Sequence, residues 1–187
     1  MKLSILIPSL ESRSAVRYNL LRQIYDQIIS CNAFFQVEVK CIIDNKEITT
    51  GEKRNQLLDS AIGRYVVFID DDDEIYEDYL SLILEAIKTN ADVIGTQGHY
   101  SIDGDSKQLW ILSKDFTDHD SNGILYRRAN HLSPVKRELA LQAKFPHISN
   151  AEDKAYSEAL NKYLKTETKI DKPIYHYKYS SNNKEYA

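Results

Sequence analysis

Four aspartates and a glutamate occupy residues 70–74 without interruption. They directly follow the apolar and aromatic run at residues 65–69, which has the composition of a buried strand. Clustered carboxylates repel one another and resist ionisation unless a cation compensates their charge. Their oxygens suit a hard divalent ion such as Mg²⁺ or Mn²⁺, which water and substrate phosphates usually complete. The run therefore predicts a metal and phosphate site whose ligands are Asp70, Asp72 and Asp73.

A structural alternative exists, because acidic residues also favour helix N-termini, where they cap free N–H groups and complement the dipole. That role explains Asp73 and Glu74, but not all four aspartates. Alternate residues of an extended segment point the same way, so we expect Asp70 and Asp72 to act together. An EF-hand calcium loop is disfavoured because its sixth position, counted from Asp70, is Ile75 instead of glycine.

The elements that must position this run alternate between strand and helix. Strand-like runs occupy residues 3–9, 37–43, 65–69 and 91–96, and helical periodicity occupies residues 13–30, 51–63 and 75–89. This alternation predicts a mostly parallel sheet with helices on its faces. Ligands of such sheets bind outside the carboxyl ends of the strands, which is where the aspartates begin.

The second half of the chain is less regular. Its predicted strands are residues 107–113 and 173–180, and its predicted helices are residues 133–143, beginning near Pro134, and residues 150–164, with Asn150 as N-cap. No repeat and no Gly/Ser-rich linker divides the 187 residues, which are most simply one domain. The tail from Ser180 onward is expected to fray.

Composition narrows the function classes. The chain is 42% hydrophobic and 28% charged, which is ordinary for a globular protein and excludes largely disordered classes. A net charge of −4 provides no electrostatic footprint for nucleic acid. No apolar run reaches the ~18 residues of a membrane span, and we find no signal peptide, so the expected location is the cytoplasm. Cys31 and Cys41 are too few for a disulfide framework.

Three segments together resemble glycosyltransferase family 2, the inverting nucleotide-sugar enzymes of the GT-A fold. They are SILIPSLESR, GEKRNQLLDSAIGRYVVFIDDDDEIYEDYL and NAEDKAYSEAL, which contain the family's ordered Arg-Asn, Ala-x-Gly and strand-end aspartate pattern. The resemblance implies an α/β, Rossmann-like GT-A fold, with a mostly parallel sheet flanked by helices and a small acceptor-side region. It divides the single domain into a nucleotide-sugar half, residues 1–95, and an acceptor-side half, residues 96–187.

The resemblance also implies a set of donor-binding residues. The implied set is Pro8, Ser9 and Glu11 in the pocket wall, Asp44 against a base that is often uracil, Lys53 and Arg54 near the diphosphate, and Asp70 and Asp71 at the strand end. A guanidinium can bind phosphate through two parallel hydrogen bonds. Simpler interpretations remain open, because Asp44 and Asn45 also form a turn signal, and Lys53 and Arg54 also suit a solvated helix face.

The third segment resembles the family's Glu-Asp pair at a helix start, whose aspartate is usually the general base. This similarity implies that Asp153 removes the acceptor hydroxyl proton, with Glu152 as its neighbour. The helix dipole alone would also favour acidic residues there. His131 and His176 are candidate additional metal ligands, since imidazole binds Mn²⁺, although a structural role is the simpler expectation for both.

The resulting prediction is an inverting glycosyltransferase that depends on Mn²⁺ or Mg²⁺ and transfers a sugar from a nucleoside diphosphate donor, here a UDP-sugar, to a hydroxyl acceptor. The acceptor is a glycan, a lipid-linked molecule or a protein, and a partner or a homodimer would complete a short acceptor region. Two alternatives are a GT-A-like nucleotidyltransferase, although residues 8–14 contain no glycine, and a non-catalytic nucleotide-sugar or carbohydrate-binding module. An aspartyl-phosphate hydrolase is disfavoured because Glu74 follows the strand-end aspartates where Thr or Val is expected.

Overall fold

The structure, a computed structural model, describes residues 1–180, so the tail predicted to fray lies from residue 181 onward outside the described residues. The strands are β1 (Leu3–Leu10), β2 (Val37–Asp44), β3 (Tyr65–Phe68), β4 (Glu74–Ile75), β5 (Val93–Ile102), β6 (Gln108–Ser113), β7 (His119–Ser121), β8 (Ile124–Arg128), β9 (Val135–Lys136) and β10 (Glu167–Tyr179). The helices are α1 (Ser14–Ser30), α2 (Thr50–Ser60), α3 (Tyr79–Ala86), α4 (Arg137–Ala143) and α5 (Glu152–Leu160), with 3₁₀ turns at Glu11–Arg13 and Ile87–Thr89.

A single sheet joins all of these strands. Strand β1 lies between β2 and β3 and is parallel to both, and the long strand β10 runs parallel to β5. The short strand β9 is antiparallel to β3 and β5 and connects these two parallel groups. The predicted α/β class, with a mostly parallel central sheet flanked by helices, is therefore confirmed.

Alternation along β1 sends its side chains into two separate cores. Ile5 and Ile7 belong to one cluster with Leu20 of α1 and Ile83 of α3. Leu6, between them, belongs to the other cluster, which α2, α4 and α5 cover. This period of two is what a strand buried on both faces requires. Full burial of such a large apolar side chain stabilises the fold by about 1.5–3 kcal/mol.

Two helices begin later than the sequence-based prediction. The helix expected from residue 133 begins only at Arg137, because Val135 and Lys136 pair as a strand with β3 and β5. The helix expected from residue 75 begins at Tyr79, because Glu74–Ile75 pairs with β10. The sheet thus takes up residues whose local pattern is helical.

The predicted cap of the last helix is wrong. Helix α5 begins at Glu152, and Ala151 takes the N-cap position with a left-handed φ of 60° and no side-chain cap. Asn150 instead lies one residue earlier, at the edge of a cavity. No helix within residues 1–180 is both long enough and apolar enough to span a membrane.

Candidate active site

A cavity of about 580 Å³ lies at the carboxyl ends of β1 and β3. Its walls are Pro8–Leu10 and Arg13 after β1, residues 46–50, Lys53 and Arg54 at the start of α2, Asp70–Asp72 after β3, Ser149 and Asn150 before α5, and residues 177–180. This position is the one that the fold class predicts for a ligand. The cavity brings together both halves of the described chain.

Gly51 allows the start of α2 to lie against the loop before α5. A Cβ atom at Gly51 would lie 1.9 Å from the carbonyl oxygen of Pro146. The Gly51 N–H donates to the carbonyl oxygen of Ile148 at 3.0 Å. This close backbone approach places Ser149 and Asn150 at the rim of the cavity beside α2.

Arg54 connects the two acidic elements of the site. Its Nη2 donates to Oδ1 of Asp70 at 2.8 Å, and its Nη1 donates to Oε1 of Glu152 at 2.7 Å. The Arg54 side chain is only 4% exposed and lies 5.4 Å from the ring centroid of Phe145. A buried guanidinium with two carboxylate partners fixes both of them. Arg54 is therefore buried and paired, and not a solvated helix-face charge.

The Asp70 carboxylate has a partner on each oxygen. Nε2 of His131 lies 3.3 Å from Oδ2, while Arg54 holds Oδ1. Burial alone would raise the pKa of Asp70, but the Arg54 charge and the His131 contact outweigh it and hold the pKa well below its usual range. Arg54 and His131 thus favour the charged form of Asp70. For Glu152 the balance is reversed, because burial raises its pKa by more than the charge of Arg54 lowers it.

The two candidate histidines lie in different surroundings. His131 contacts Asp70, and its buried Nδ1 has no hydrogen-bond partner. His176 pairs with Ser101 Oγ at 2.9 Å and with Glu74 at 3.5 Å, and burial lowers its pKa. Of the two, His131 is therefore the one that contacts a predicted metal ligand.

Asp71 anchors the aspartate run to the end of β1. The Ser9 hydroxyl donates to its Oδ2 at 2.5 Å, and Arg13 Nη1 donates to its Oδ1 at 2.8 Å. The same Arg13 nitrogen lies 3.2 Å from Oδ2 of Asp72. Asp71 is 1% exposed, whereas Asp72 is 26% exposed and lines the cavity. Asp72 is consequently the more accessible carboxylate of the pair.

Asp72 carries an electrostatic cost that a cation would relieve. Burial raises its pKa, the Arg13 guanidinium opposes that rise, and the charges of Asp70 and Asp71 add to it. A divalent ion beside Asp72 would favour its charged form. The donor chemistry at this position therefore fits a hard cation.

Asp73 points away from that position. The Tyr175 hydroxyl donates to its Oδ2 at 2.7 Å, and the Lys178 N–H donates to its Oδ1 at 2.8 Å. Burial raises the pKa of Asp73 well above its usual value, and the charge of Asp70 adds to this rise. Asp73 is 5% exposed and is not among the cavity-lining residues. Its contacts tie the aspartate turn to β10.

Lys53 and Asp44 form an ion pair beneath the cavity. Lys53 Nζ pairs with Oδ1 of Asp44 and donates to the carbonyl oxygen of Ser9 at 2.8 Å. Oδ2 of Asp44 accepts the Ile48 N–H at 3.2 Å. Burial raises the pKa of Asp44, but the Lys53 contact and this backbone hydrogen bond outweigh it, so the pKa is lowered. Asp44 lies behind the cavity wall, and Glu11 is exposed outside it.

Asp153 lies in the first turn of α5, next to the Arg54 cluster. It is half-buried, and its Oδ1 accepts the Lys154 N–H at 2.8 Å. Its charge raises the pKa values of Arg54 and Glu152, so it lies within electrostatic range of both. Asp153 is not among the residues that line the cavity; it follows Glu152, which pairs with the cavity-lining Arg54.

The site includes residues for which the sequence predicted no role, among them Arg13, Tyr177 and Lys178. Arg13 and Lys178 line the cavity as cations, and Tyr177 lines it while stacking on Tyr100 with ring centroids 5.6 Å apart. Burial and then the charge of Asp70 raise the pKa of Tyr177. In the sequence, the alternating tyrosines of residues 173–180 indicated only a strand. No local pattern distinguished Arg13 from other surface arginines.

Protein side chains alone do not form a metal centre here. Within residues 1–180, no group of three or more His, Cys, Asp or Glu side chains is arranged to hold a metal ion. Asp70 and Asp72 nevertheless line one cavity together with Lys53 and Arg13. The two carboxylates fit a metal ion that also binds phosphate oxygens, and the two side-chain cations fit the phosphate itself.

Comparison with known proteins identifies the family. The Glycosyl transferase family 2 model matches residues 21–150. The chain therefore belongs to glycosyl transferase family 2, and the GT-A fold predicted from its sequence is confirmed. A comparison with curated protein sequences returns no significant match.

Solved structures of S. aureus TarS have the same fold. TarS 1–349 matches with 18% identity and a TM-score of 0.67 over 95% of this chain and 60% of that one. Its complex with UDP-GlcNAc matches with 17% identity and a TM-score of 0.67, over 95% of this chain and 58% of that one. Its complex with UDP matches with 18% identity and a TM-score of 0.70, over 95% of this chain and 60% of that one. The chain thus spans about 60% of the length of the TarS 1–349 fragment.

Proposed function

We propose that the chain is an inverting glycosyltransferase that depends on a divalent metal and transfers a sugar from a uridine diphosphate donor to a hydroxyl acceptor. The observation that carries the proposal is the cavity at the strand ends, where carboxylates and cations line one space in a family 2 chain. A nucleoside diphosphate needs both charges, because its oxygens bind cations while its metal binds carboxylates.

The uridine donor is supported by the structural neighbours, since TarS has been solved with UDP and with UDP-GlcNAc. Pro8, Ser9 and Leu10 provide one wall of the cavity, and residues 46–50 provide the facing wall. We assign the base to the space between these walls. Asp44 does not line the cavity, and its oxygens accept from Lys53 and from the Ile48 N–H, so contact with the base requires one of these hydrogen bonds to open.

Asp70 and Asp72 are the proposed protein ligands of Mn²⁺ or Mg²⁺, with diphosphate oxygens completing the shell. When bound, the ion would stabilise the negative charge that develops on the departing diphosphate. The contacts of Arg54 and His131 lower the pKa of Asp70 and so favour the charged form that binds a metal ion. We assign Asp73 to positioning, since it does not line the cavity and its two oxygens accept from Tyr175 and from the Lys178 N–H.

Asp153 is the proposed general base that removes the proton of the attacking hydroxyl. Its carboxylate has a hydrogen bond from its neighbour's N–H but no strong ion pair, whereas Glu152 is bound to Arg54. A base must reach the acceptor hydroxyl with an available carboxylate oxygen, and the hydrogen bond from Arg54 occupies Oε1 of Glu152. This contrast favours Asp153 over Glu152 for the base and assigns Glu152 to positioning Arg54.

As the acceptor we propose a hydroxyl-bearing glycan, lipid-linked molecule or protein, which approaches from the side of Tyr177 and Tyr100. A partner protein or a second copy of the chain would complete the acceptor site. A nucleotidyltransferase remains the second candidate, although the residues after β1 contain no glycine-rich phosphate loop.

The test is a screen of UDP-sugars by thermal unfolding with Mn²⁺ and with EDTA, followed by an assay of UDP release with mixed acceptor glycans. A donor at 100 times its dissociation constant should stabilise the fold by about 2.7 kcal/mol, and only when Mn²⁺ is present. Release of UDP with loss of an acceptor hydroxyl supports transfer. Release of pyrophosphate from a sugar phosphate and UTP would instead indicate the nucleotidyltransferase, and binding with no turnover would indicate a binding module.

A further inference from the structure

Arg13 places a positive charge inside the aspartate run. It lies in the 3₁₀ turn after β1, and its Nη1 is 2.8 Å from Asp71 Oδ1 and 3.2 Å from Asp72 Oδ2. The Arg13 side chain is 27% exposed and lines the cavity. A guanidinium therefore already lies beside the carboxylate that is most accessible to a metal ion.

The position of Arg13 is supported from both sides. Ser9 holds the second oxygen of Asp71, and Arg17 Nη1 binds both the Ser9 hydroxyl and the Leu10 carbonyl oxygen at 2.8 Å. These contacts fix the loop from which Arg13 extends. The contact between Arg13 and Asp72 is thus part of a partly buried network that includes the buried side chains of Ser9 and Asp71.

A divalent ion and this guanidinium compete for the same carboxylate. Arginine remains charged at all accessible pH values, so deprotonation does not remove the competition. Two cations beside one carboxylate repel each other unless further negative charge arrives. A nucleoside diphosphate brings that charge, and a guanidinium binds phosphate oxygens at least as well as carboxylate oxygens.

We propose that Arg13 is a resident counter-cation that makes metal binding depend on the nucleoside diphosphate. Without nucleotide it neutralises Asp71 and Asp72 and weakens the binding of a divalent ion. When a diphosphate binds, the guanidinium exchanges its Asp72 contact for a phosphate oxygen, and Asp72 then accepts the ion. This inference rests on the proposed function, and it adds an order to the binding steps that the function alone does not require.

The experiment measures Mn²⁺ binding by calorimetry and by the electron paramagnetic resonance of free Mn²⁺. Wild-type protein is compared with Arg13→Gln, and Arg22→Gln is the control because Arg22 is an exposed arginine on α1. We expect Arg13→Gln to bind Mn²⁺ alone roughly threefold to tenfold more tightly, since a competing positive charge is removed. UDP binding in EDTA should weaken by roughly tenfold, the loss of one charge-assisted contact. Arg22→Gln should match the wild type in both.

Arg13→Lys is the second variant if Arg13→Gln does not fold, which its thermal unfolding curve would show. Lysine keeps the charge but lacks the planar fork that binds phosphate through two hydrogen bonds, and its shorter side chain changes the distance to Asp72, so we expect the same two changes at smaller magnitude. Unchanged Mn²⁺ affinity in the folded variants, while the wild type still binds UDP with Mn²⁺, would overturn the role of Arg13 alone. A wild-type protein that binds neither UDP nor Mn²⁺ would overturn the proposed function together with this inference.

Discussion

Arg54 and Glu152 lie 98 residues apart in the chain and form a 2.7 Å ion pair with both side chains buried. The same guanidinium also binds Asp70 at the end of the strand. One side chain therefore connects α2, the aspartate run and the start of α5. The distance between the proposed metal ligands and the proposed base consequently depends on Arg54.

Glu152→Ala should lower the free energy of unfolding by about 1–3 kcal/mol, because it removes the acceptor of a buried Arg54 N–H. Urea unfolding at pH 7 measures the change. Glu158→Ala is the matched control, since Glu158 is exposed on the same helix. Equal stability of the two variants would show that the Arg54–Glu152 pair does not hold α5 in place.

Asp153→Asn should slow sugar transfer by about 100- to 10,000-fold, the usual contribution of a positioned general base. Binding of UDP and Mn²⁺ should match that of the wild type, because the amide keeps the shape of the side chain. Steady-state transfer rates and calorimetry separate the two effects. An Asp153→Asn protein with full transfer activity would exclude this base and make Glu152 the next candidate.

Asp44→Ala should weaken binding of uridine diphosphate more than that of adenosine diphosphate if the carboxylate accepts the N3–H of uracil. Calorimetry with both nucleotides and Mn²⁺ provides the comparison. Loss of the Lys53 partner alone would affect the shared diphosphate, and so both nucleotides, to the same extent. Equal losses would therefore restrict Asp44 to positioning Lys53 and the turn at Ile48.

Strands and the location of the site follow from the sequence, because they depend on local apolar runs and on a general rule for ligand position in α/β sheets. The separate roles of the individual aspartates do not follow from the sequence. Asp71 and Asp73 differ from Asp72 through contacts with residues far away in the chain, namely Ser9 for Asp71 and Tyr175 and Lys178 for Asp73. Adjacent identical residues have no local signal that separates a ligand from an anchor.

The missed strand at Val135–Lys136 has the same origin. Its residues read as part of a helix, but their backbone groups pair with two strands that the sequence places far apart. Tertiary pairing overrides a local helical pattern in such short segments. Arg13 likewise gains its role only when β1 and β3 lie side by side.

Asp92 should make the stability of the fold depend on pH in the acid range. The Lys136 amine and the N–H groups of Lys165 and Thr166 bind its carboxylate at 2.9–3.0 Å. Burial opposes these hydrogen bonds, but they lower the pKa of Asp92 to about 2. Because the folded-state pKa lies below the unfolded value of ~3.9, this stabilisation is present above pH 4 and is lost as the pH falls toward 2.

Asp92→Asn should therefore cost about 1–3 kcal/mol at pH 7 and less at pH 3. Chemical unfolding at the two pH values measures this difference. Asp59→Asn is the control, since Asp59 forms an exposed ion pair with Lys144. A pH-independent loss in Asp92→Asn would contradict a role for its charge.

The most direct test of the central claim is a calorimetric titration of UDP, with Mn²⁺ and with EDTA, into the wild-type protein and into Asp72→Asn. We expect Mn²⁺ to tighten UDP binding to the wild type and to have no such effect on Asp72→Asn. We also expect the variant to unfold at the same temperature or higher, because burial raises the pKa of Asp72 and disfavours its charge. Unchanged Mn²⁺-dependent binding of UDP by Asp72→Asn would contradict the proposed metal and diphosphate site.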